Sequence, residues 1–273
     1  MRERRDHRAP RHHAVPRLEA TAPNQVWTWD ISKVATFEPG VFLSLYVVLD
    51  LFSRFVVAWM LAAHENSALA KQLFGEAVER YEIEPGSLTV HNDRGAPMTA
   101  RTFVDLLVGL GVERSYSRPR VSNDNPHSES CFHTMKYQPD YPGRFRGVAE
   151  ARPWFDDFFR WYNHDHHHDG LALFTPAQVY RGEVEAIAQR RQQALDEAYR
   201  RHPERFVAGA PVAARPPARV LINPADAAPT VERLLATPDE QLGTLWPPPK
   251  AAPVPVINLP GARPLAQASR EAT

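Results

Sequence analysis

Three common features are scarce or missing in this 273-residue sequence. The single cysteine, Cys131, excludes an internal disulfide and favours a reducing cytoplasm. No run of about 18 apolar residues occurs, so no membrane-spanning helix is predicted, and the Arg- and His-rich N-terminus lacks the apolar segment of a secretory signal. Net charge is zero, because 32 Lys and Arg balance 32 Asp and Glu. The chain is therefore no simple polycation that coats nucleic acid, although local charge can still bind it.

Composition varies along the chain. Residues 1–20 carry six Arg and three acids without apolar periodicity, which predicts a basic extended arm over residues 1–22 that either contacts phosphate or is merely solvated. Residues 23–182 contain the apolar patterns of a folded core, and residues 183–202 read as a charged helical extension. From Pro203 onwards the chain is rich in Pro and Ala, so residues 203–273 are predicted to be a largely irregular tail.

The core alternates between strand and helix patterns. Residues 25–34 alternate in the manner of a strand, and Asp30 lies in its middle, where aspartate is disfavoured. The predicted strands are 25–34, 41–50, 55–61, 88–90 and 112–117, with an isolated one at 220–224. The predicted helices are 67–81, 99–110, 126–138, 148–165, 175–180 and 186–200. This order predicts an α/β fold with a five-stranded mixed sheet flanked by helices, in which the first and fourth strands can lie side by side.

One predicted helix has an unusual polar stripe. Asn125 is a good N-cap and Pro126 suits the first helical position. Counted helically from Glu129, Phe132, His133 and Lys136 lie on the same side. A carboxylate, an imidazole and an ammonium on one stripe predict a surface that meets an anionic partner, directly or through a metal.

Three carboxylates could converge across these elements. Asp30 lies within the first strand, Asp93 just after the fourth, and Glu129 on the helix after the fifth. Carboxylates gathered in one site repel one another unless cations neutralise them, and oxygen ligands suit Mg²⁺ or Mn²⁺. Two such ions, about 4 Å apart, can promote phosphoryl transfer.

These motifs resemble a known family. Trp-Asp-Ile at 29–31, Asn-Asp-Arg-Gly at 92–95 and Asn-Pro-His-Ser-Glu-Ser-Cys-Phe-His-Thr-Met-Lys at 125–136 are similar to the catalytic core of bacterial insertion-sequence transposases, members of the retroviral-integrase superfamily. Thirty-five residues separate Asp93 from Glu129, the spacing that family favours. The resemblance covers roughly residues 22–182, and includes Leu-Asp-Leu-Phe-Ser-Arg at 49–54.

The resemblance implies an RNase H-like fold and a DDE triad. Asp30, Asp93 and Glu129 would be the catalytic residues and ligands of Mg²⁺ or Mn²⁺. Lys136 would contact transposon-end DNA, Asn125 and Ser128 would shape the active-site loop and touch the DNA backbone, and His133 would do likewise. The implied activity is DNA cleavage and strand transfer by a homo-multimer on transposon-end and target DNA, in the bacterial cytoplasm at the nucleoid.

Several alternatives stay open. Only 29 residues precede Asp30, too few for the helix-turn-helix segment usual in such transposases. The sequence therefore also allows a truncated, non-catalytic remnant, a separately encoded helix-turn-helix partner, or an RNase H-like nuclease without strand transfer. His164 and His168, at i and i+4, could form a zinc pair, although the aromatic residues of that helix have core spacing. Cys131 is expected to be a passive small residue.

Overall fold

The structure is a computed structural model that describes residues 14–119, 121 and 124–224. Its strands are β1 (Leu18–Ala20), β2 (Val26–Ala35), β3 (Phe42–Asp50), β4 (Val56–Ala62), β5 (Thr89–Asn92), β6 (Glu113–Tyr116) and β7 (Val220–Ile222). Its α-helices are α1 (Ser67–Arg80), α2 (Ala96–Thr99), α3 (Arg101–Gly109), α4 (Pro126–Lys136), α5 (Val148–His164), α6 (Pro176–Tyr180) and α7 (Val184–Arg201). No helix in these ranges is long and apolar enough to cross a membrane.

Five of the strands form one mixed sheet in the order β4-β3-β2-β5-β6. Strands β2, β3 and β4 are antiparallel neighbours, whereas β5 is parallel to β2 and β6 is parallel to β5. The predicted RNase H-like, five-stranded mixed sheet is therefore confirmed. The predicted adjacency of its first and fourth strands, β2 and β5, is confirmed as well.

Helices cover both faces of this sheet. On one face Trp27 and Trp29 of β2 are fully buried against the apolar residues of α1 and α3, including Phe74 and Phe103. On the other face α4 and α5 pack on the sheet, and Phe155 of α5 is fully buried there. Each fully buried side chain of this size contributes about 2–3 kcal/mol of transfer free energy. Most α5 aromatics are thus core residues, as their spacing predicts.

The turn between β3 and β4 explains the Leu-Asp-Leu-Phe-Ser-Arg motif. Asp50 is fully buried, and its carboxylate accepts bonds from Ser53 N at 2.8 Å and from Asn24 N at 2.7 Å. Arg54, at a φ of 64°, donates to the carbonyl of Leu51. The motif therefore holds a tight turn together, and its charged residues are structural.

Local details differ from the sequence predictions. Asn66, not Ser67, caps α1 with its side chain. The helix predicted over 99–110 is α3, and the short helix α2 before it, which was not predicted, is separated from it by Ala100, where the chain is extended with ψ 134°. Asn125 occupies the N-cap position of α4 without a side-chain capping bond. Phe132 is 8% exposed and packs into the core, so it does not belong to the exposed stripe of Glu129.

The two ends of the described chain pair with each other. Strand β1 lies inside the segment predicted to be an extended arm, and it pairs antiparallel with β7 of the predicted tail. Ala20, Val220 and Ile222 are buried beside Leu51. The strand at 220–222 is therefore not isolated. Residues 1–13 of the arm and 225–273 of the tail lie outside the described residues.

Candidate active site

Strand register brings the first two carboxylates together. Strands β2 and β5 are parallel, and Trp29 pairs with Asn92. Continuing this register by one residue places Asp93 beside Asp30. Neighbouring strands of a sheet are about 4.8 Å apart. The N–H of Ile31 donates to Asp30 Oδ1 at 2.7 Å, and the N–H of Gly95 donates to Asp93 Oδ1 at 2.8 Å. Each carboxylate is therefore oriented by a backbone N–H one or two residues further along the chain.

Helix α4 carries the third carboxylate to the same place. Its inner face is buried, with Cys131 and Met135 at 1% and 0% exposure. Near its start, the hydroxyl of Ser128 donates to Thr28 Oγ1 at 3.1 Å, which fixes the helix on β2. Glu129 lies on the outer side of α4 and is exposed. Asp30, Asp93 and Glu129 together line one surface cleft of about 290 Å³ with Ser117, Arg118, Val121 and Asn125.

The pKa of Asp30 depends on the other two carboxylates. Burial is the largest cause that raises the pKa of Asp30 to about 6, and the charges of Asp93 and Glu129 raise it further. The hydrogen bond from Ile31 and the positive charge of Lys136 oppose that rise. The cleft is therefore a region of excess negative charge that a cation would neutralise.

The donor set fits a hard divalent cation. Carboxylate oxygens are the ligands that Mg²⁺ and Mn²⁺ prefer. Asn125, which also lines the cleft, is 5% exposed, and its Oδ1 has no hydrogen-bond partner among the described residues. Within 14–119, 121 and 124–224, no group of three His, Cys, Asp or Glu side chains is already close enough to hold a metal ion. The residue types in the cleft therefore suit a divalent cation, and their side chains would have to move closer together to bind it.

Cationic side chains surround the cleft. Lys136 is exposed and lies close enough to Asp30 to lower the pKa of that carboxyl. Arg118 lines the cleft itself, and Arg94 lies over the ring of Tyr116 at 5.2 Å and bonds to the carbonyl of Ser117. His133 is exposed on α4, four residues after Glu129. Phosphates entering the cleft would meet these groups at its rim.

A buried hub that the sequence did not reveal joins the elements of the site. The carboxylate of Asp124 is fully buried and accepts bonds from Arg118 N, Nε and Nη2 at 2.8, 3.0 and 2.9 Å. The side chain of Asn223 also donates to it, at 2.8 Å. The carbonyl of Asp124 lies 2.8 Å from Nε2 of His91, a buried residue of β5. Asp124 therefore ties the start of α4 to β5 and to the residues that follow β6 and β7.

Asn125 and Ser128 are buried rather than displayed. Their exposures are 5% and 2%, and the amide of Asn125 donates to the carbonyl of Trp29 at 3.5 Å. Both side chains therefore lie between α4 and β2, and their expected roles in shaping the active-site loop and touching the DNA backbone stay predictions. The candidate DNA contacts that stay exposed are His133 and Lys136.

The histidine run and the cysteine have structural surroundings. His166 stacks on Tyr162 at 5.5 Å, and His167 Nδ1 lies 2.8 Å from the carbonyl of Leu173. Burial lowers the pKa of His168 to about 4, which keeps its imidazole neutral at pH 7. Burial raises the pKa of Cys131 to about 12, so its thiol is protonated and unreactive.

Comparison with known proteins agrees with this geometry. A family model described as the integrase core domain matches residues 20–122, and a second with the same description matches residues 110–176. The transposase for insertion sequence element IS904 of Lactococcus lactis is 32% identical over 160 residues, which are 58% of this chain and 62% of that protein. The chain contains an integrase core domain over residues 20–176, and there it is similar to insertion-sequence transposases.

Further relatives and structures of this kind show the extent of the likeness. The transposase InsF for insertion sequence IS3A of Escherichia coli is 32% identical over 119 residues, 44% of this chain and 40% of that protein. The chain thus spans less than two thirds of these two relatives. Among solved structures, the HTLV-2 integrase catalytic core domain in complex with magnesium has a TM-score of 0.43 at 16% identity, covering 58% of this chain and 97% of that one. The catalytic domain of Mos1 mariner transposase has a TM-score of 0.41 at 20% identity, covering 50% and 70%.

Proposed function

We propose that this chain is the catalytic subunit of a DDE transposase, which cleaves DNA at the ends of a bacterial insertion sequence and transfers the cut strand to target DNA. The observation that carries the proposal is the single cleft lined by Asp30, Asp93 and Glu129. These residues come from β2, the end of β5, and α4, and the pKa of Asp30 responds to the other two. We assign the activity to residues 23–182.

The reaction consists of two phosphoryl transfers. In the first, water attacks a phosphodiester at the element end, the bond from phosphorus to the 3′ oxygen breaks, and a 3′-OH is released. In the second, that 3′-OH attacks a target phosphodiester, forms a new ester to phosphorus and releases a target 3′-OH. Bond numbers balance in both steps, so neither an external energy source nor a covalent enzyme intermediate is required.

The chain's own residues hold and orient the reactants. Asp30, Asp93 and Glu129 would hold Mg²⁺ or Mn²⁺, expected as two ions, which supply charge neutralisation at the phosphorus and a lowered pKa for the attacking water. Lys136 and His133 would contact phosphates beside the cleft. Arg118 is oriented by Asp124 and would present its remaining N–H groups to the strand. Such phosphate contacts make binding weaken as salt rises.

The assembly and location follow from the chemistry. Joining two element ends to one target needs two sites near one DNA, so we expect a homo-multimer on transposon-end and target DNA, acting at the bacterial nucleoid. The separately encoded helix-turn-helix partner that the sequence left open has no support in the matches, and it is not part of the proposal.

A strand-transfer assay tests the function. Purified full chain is incubated with labelled DNA that carries the terminal repeats of the element, target plasmid, and Mg²⁺ or Mn²⁺. The expected result is metal-dependent nicking followed by joining, both abolished in Asp30→Asn, Asp93→Asn and Glu129→Gln. Asp105→Asn, on the outer face of α3 with a side chain 66% exposed, is the matched control and should keep full activity.

Each other outcome has a definite meaning. Nicking without joining would favour an RNase H-like nuclease. Binding without nicking by the wild type would favour a non-catalytic remnant. Full activity in Asp93→Asn would refute the triad.

A further inference from the structure

An exposed aromatic pair stands at the end of α4. Tyr137, the residue that ends the helix, is 75% exposed. Its ring stacks on the imidazole of His133, with centroids 4.2 Å apart and planes at 21°. The two rings therefore form one ordered aromatic surface, which we call the α4 platform. Because His133 already holds the tyrosine ring, a planar ligand that stacks on it would cost little side-chain entropy.

The platform lies on the same helical stripe as the third carboxylate. Glu129, His133, Lys136 and Tyr137 are spaced i, i+4, i+7 and i+8, which places them on one face. All four are exposed, while Cys131 and other residues of the opposite face are buried. The stripe runs from the acidic cleft past an ammonium to a stacked aromatic pair. This is the order of groups that a nucleotide strand would meet if it left the cleft along α4.

The length of the stripe sets the register of that strand. Eight residues of α-helix rise about 12 Å. One strand of duplex DNA advances about 3.4 Å per nucleotide. The platform therefore lies about three to four nucleotides along the strand from a phosphate in the cleft beside Glu129, with Lys136 next to the intervening phosphates.

We propose that His133 and Tyr137 bind a nucleobase of the DNA strand by stacking, three to four nucleotides from the phosphate in the cleft. The proposal rests on the proposed function, because it takes DNA as the occupant of the cleft. Every base has a π-face, so stacking of this kind tolerates any sequence. A base within a duplex has both faces covered, and the ligand is therefore the nucleotide at which the stacked strand ends, whose base is unpaired and has one face free.

The size and charge of the surface favour a base over a protein partner. One exposed ring beside a lysine is far smaller than the roughly 800 Å² that each partner contributes to a stable protein interface. An aromatic face flanked by a cation is the combination that single-stranded nucleic acid binds, by stacking and phosphate contact together. A second copy of the chain would need a wider apolar surface around Tyr137, whereas the neighbouring Lys136 is exposed and charged.

A double-mutant cycle between protein and DNA tests the platform. The full chain is titrated, without divalent ions so that no cleavage occurs, into a fluorescein-labelled duplex with a single-stranded 3′ thymidine extension. In a series of such DNAs, each extension nucleotide in turn is replaced by an abasic analogue. Fluorescence anisotropy gives Kd for the wild type, Tyr137→Leu, which removes the ring, and Tyr137→Phe, which keeps it.

The stacking model predicts a coupled loss. Tyr137→Leu should weaken binding by roughly tenfold, and Tyr137→Phe should bind like the wild type. One abasic position should weaken wild-type binding by the same factor and should leave Tyr137→Leu unaffected. Phe37→Leu, an exposed aromatic substitution in the turn between β2 and β3, should change nothing. Thermal melting should show an unchanged fold for Tyr137→Leu, because its side chain is exposed.

The outcomes separate this proposal from the catalytic one. Equal loss in Tyr137→Leu and Tyr137→Phe, no coupling at any abasic position, or no binding by the wild type would each overturn the platform. A chain that nicks and joins DNA but shows no coupling would keep the proposed function and lose the platform. A chain that shows the coupling but never nicks would keep the platform and lose the catalytic function.

Discussion

The substitution Asp124→Asn tests whether the buried hub stabilises the site. The carboxylate accepts four hydrogen bonds, three from Arg118 and one from Asn223. Asparagine has almost the same shape but only one accepting oxygen, and its NH₂ would face the donors of Arg118 or Asn223. The change therefore removes a charge and leaves donors facing donors in a fully buried position.

The magnitude follows from the pKa of Asp124. Burial raises that pKa, but the hydrogen bonds from Arg118 and Asn223 and the charge of Arg118 outweigh it and lower the pKa from 3.8 to about 2. At about 1.36 kcal/mol per pKa unit, the ionised form contributes about 2 kcal/mol to the free energy of unfolding at neutral pH. Unpaired donors in the variant add about 1–2 kcal/mol. We therefore expect a loss of about 3–4 kcal/mol.

The sign of the pH dependence is fixed by the same shift. A depressed carboxyl pKa gives stability that is fully present above the unfolded value of 3.8 and is lost as the pH falls through about 2. The difference between the wild type and Asp124→Asn should therefore be constant near neutrality and shrink in acid. A purely steric defect would not shrink in this way.

Urea unfolding at a series of pH values measures this difference. Fluorescence reports the transition because Trp27 and Trp29 are fully buried. Glu185→Gln, at an exposed pair with Arg215 that has the same two-pronged geometry, is the control and should leave the unfolding transition almost unchanged. A loss below about 1 kcal/mol for Asp124→Asn, or a loss that persists unchanged in acid, would refute the reasoning.

Three further predictions concern the carboxylates and the edge strand. Asp30→Asn should raise the thermal midpoint of metal-free protein at neutral pH, because burial, Asp93 and Glu129 raise the pKa of Asp30 to about 6. The stability that the protonated carboxyl provides is fully present below pH 3.8 and is lost as the pH rises through about 6, and asparagine does not lose it. Scanning fluorimetry that shows no gain, or a gain that persists in acid, would contradict this reasoning. Adding Mg²⁺ or Mn²⁺ should raise the thermal midpoint of the wild type by preferential binding to the folded chain, and a Glu129→Gln protein that gains as much would remove that residue from the ligands. Asn163→Ala should cost about 2–3 kcal/mol in urea unfolding, since the amide makes buried bonds to the N–H and carbonyl of Val56 at 2.8 and 3.0 Å; a loss under half of that would show that the bonds contribute little.

The sequence predicted most of the sheet because the signals are local. Alternation over residues 25–34 and the apolar run at 41–50 fix strands β2 and β3, and Gly111 ends α3 with a φ of 66°, as its position predicts. Asp30 stood out because it lies in mid-strand, where aspartate is disfavoured, whereas Asp93 and Glu129 on their own resemble an ordinary turn residue and an ordinary exposed helix residue. Motif resemblance then supplied the grouping that periodicity alone could not.

The parts that the sequence missed depend on distant contacts. Asp124 and Asn223 are 99 residues apart, and strand β1 pairs with β7 across nearly the whole described chain. The pattern of β1 is only three residues long and was not recognised, and although a strand was predicted at 220–224, its pairing with β1 could not be predicted from either segment alone. His91 gave no signal either, since a buried imidazole that bonds to Ser115 and to the carbonyl of Asp124 resembles any other strand residue until its partners are known.

The face of β2 decides whether a site can form at all. Successive side chains of a strand point to opposite faces, so Trp27 and Trp29 point to the layer of α1 and α3, while Thr28 and Asp30 point to the layer of α4. A register slip of one residue would bury Asp30 among the tryptophan's neighbours and turn Trp29 toward α4. The two tryptophans therefore do more than fill the core. By fixing which face of β2 meets which helix, they determine that Asp30 lies where α4 can bring a carboxylate to it.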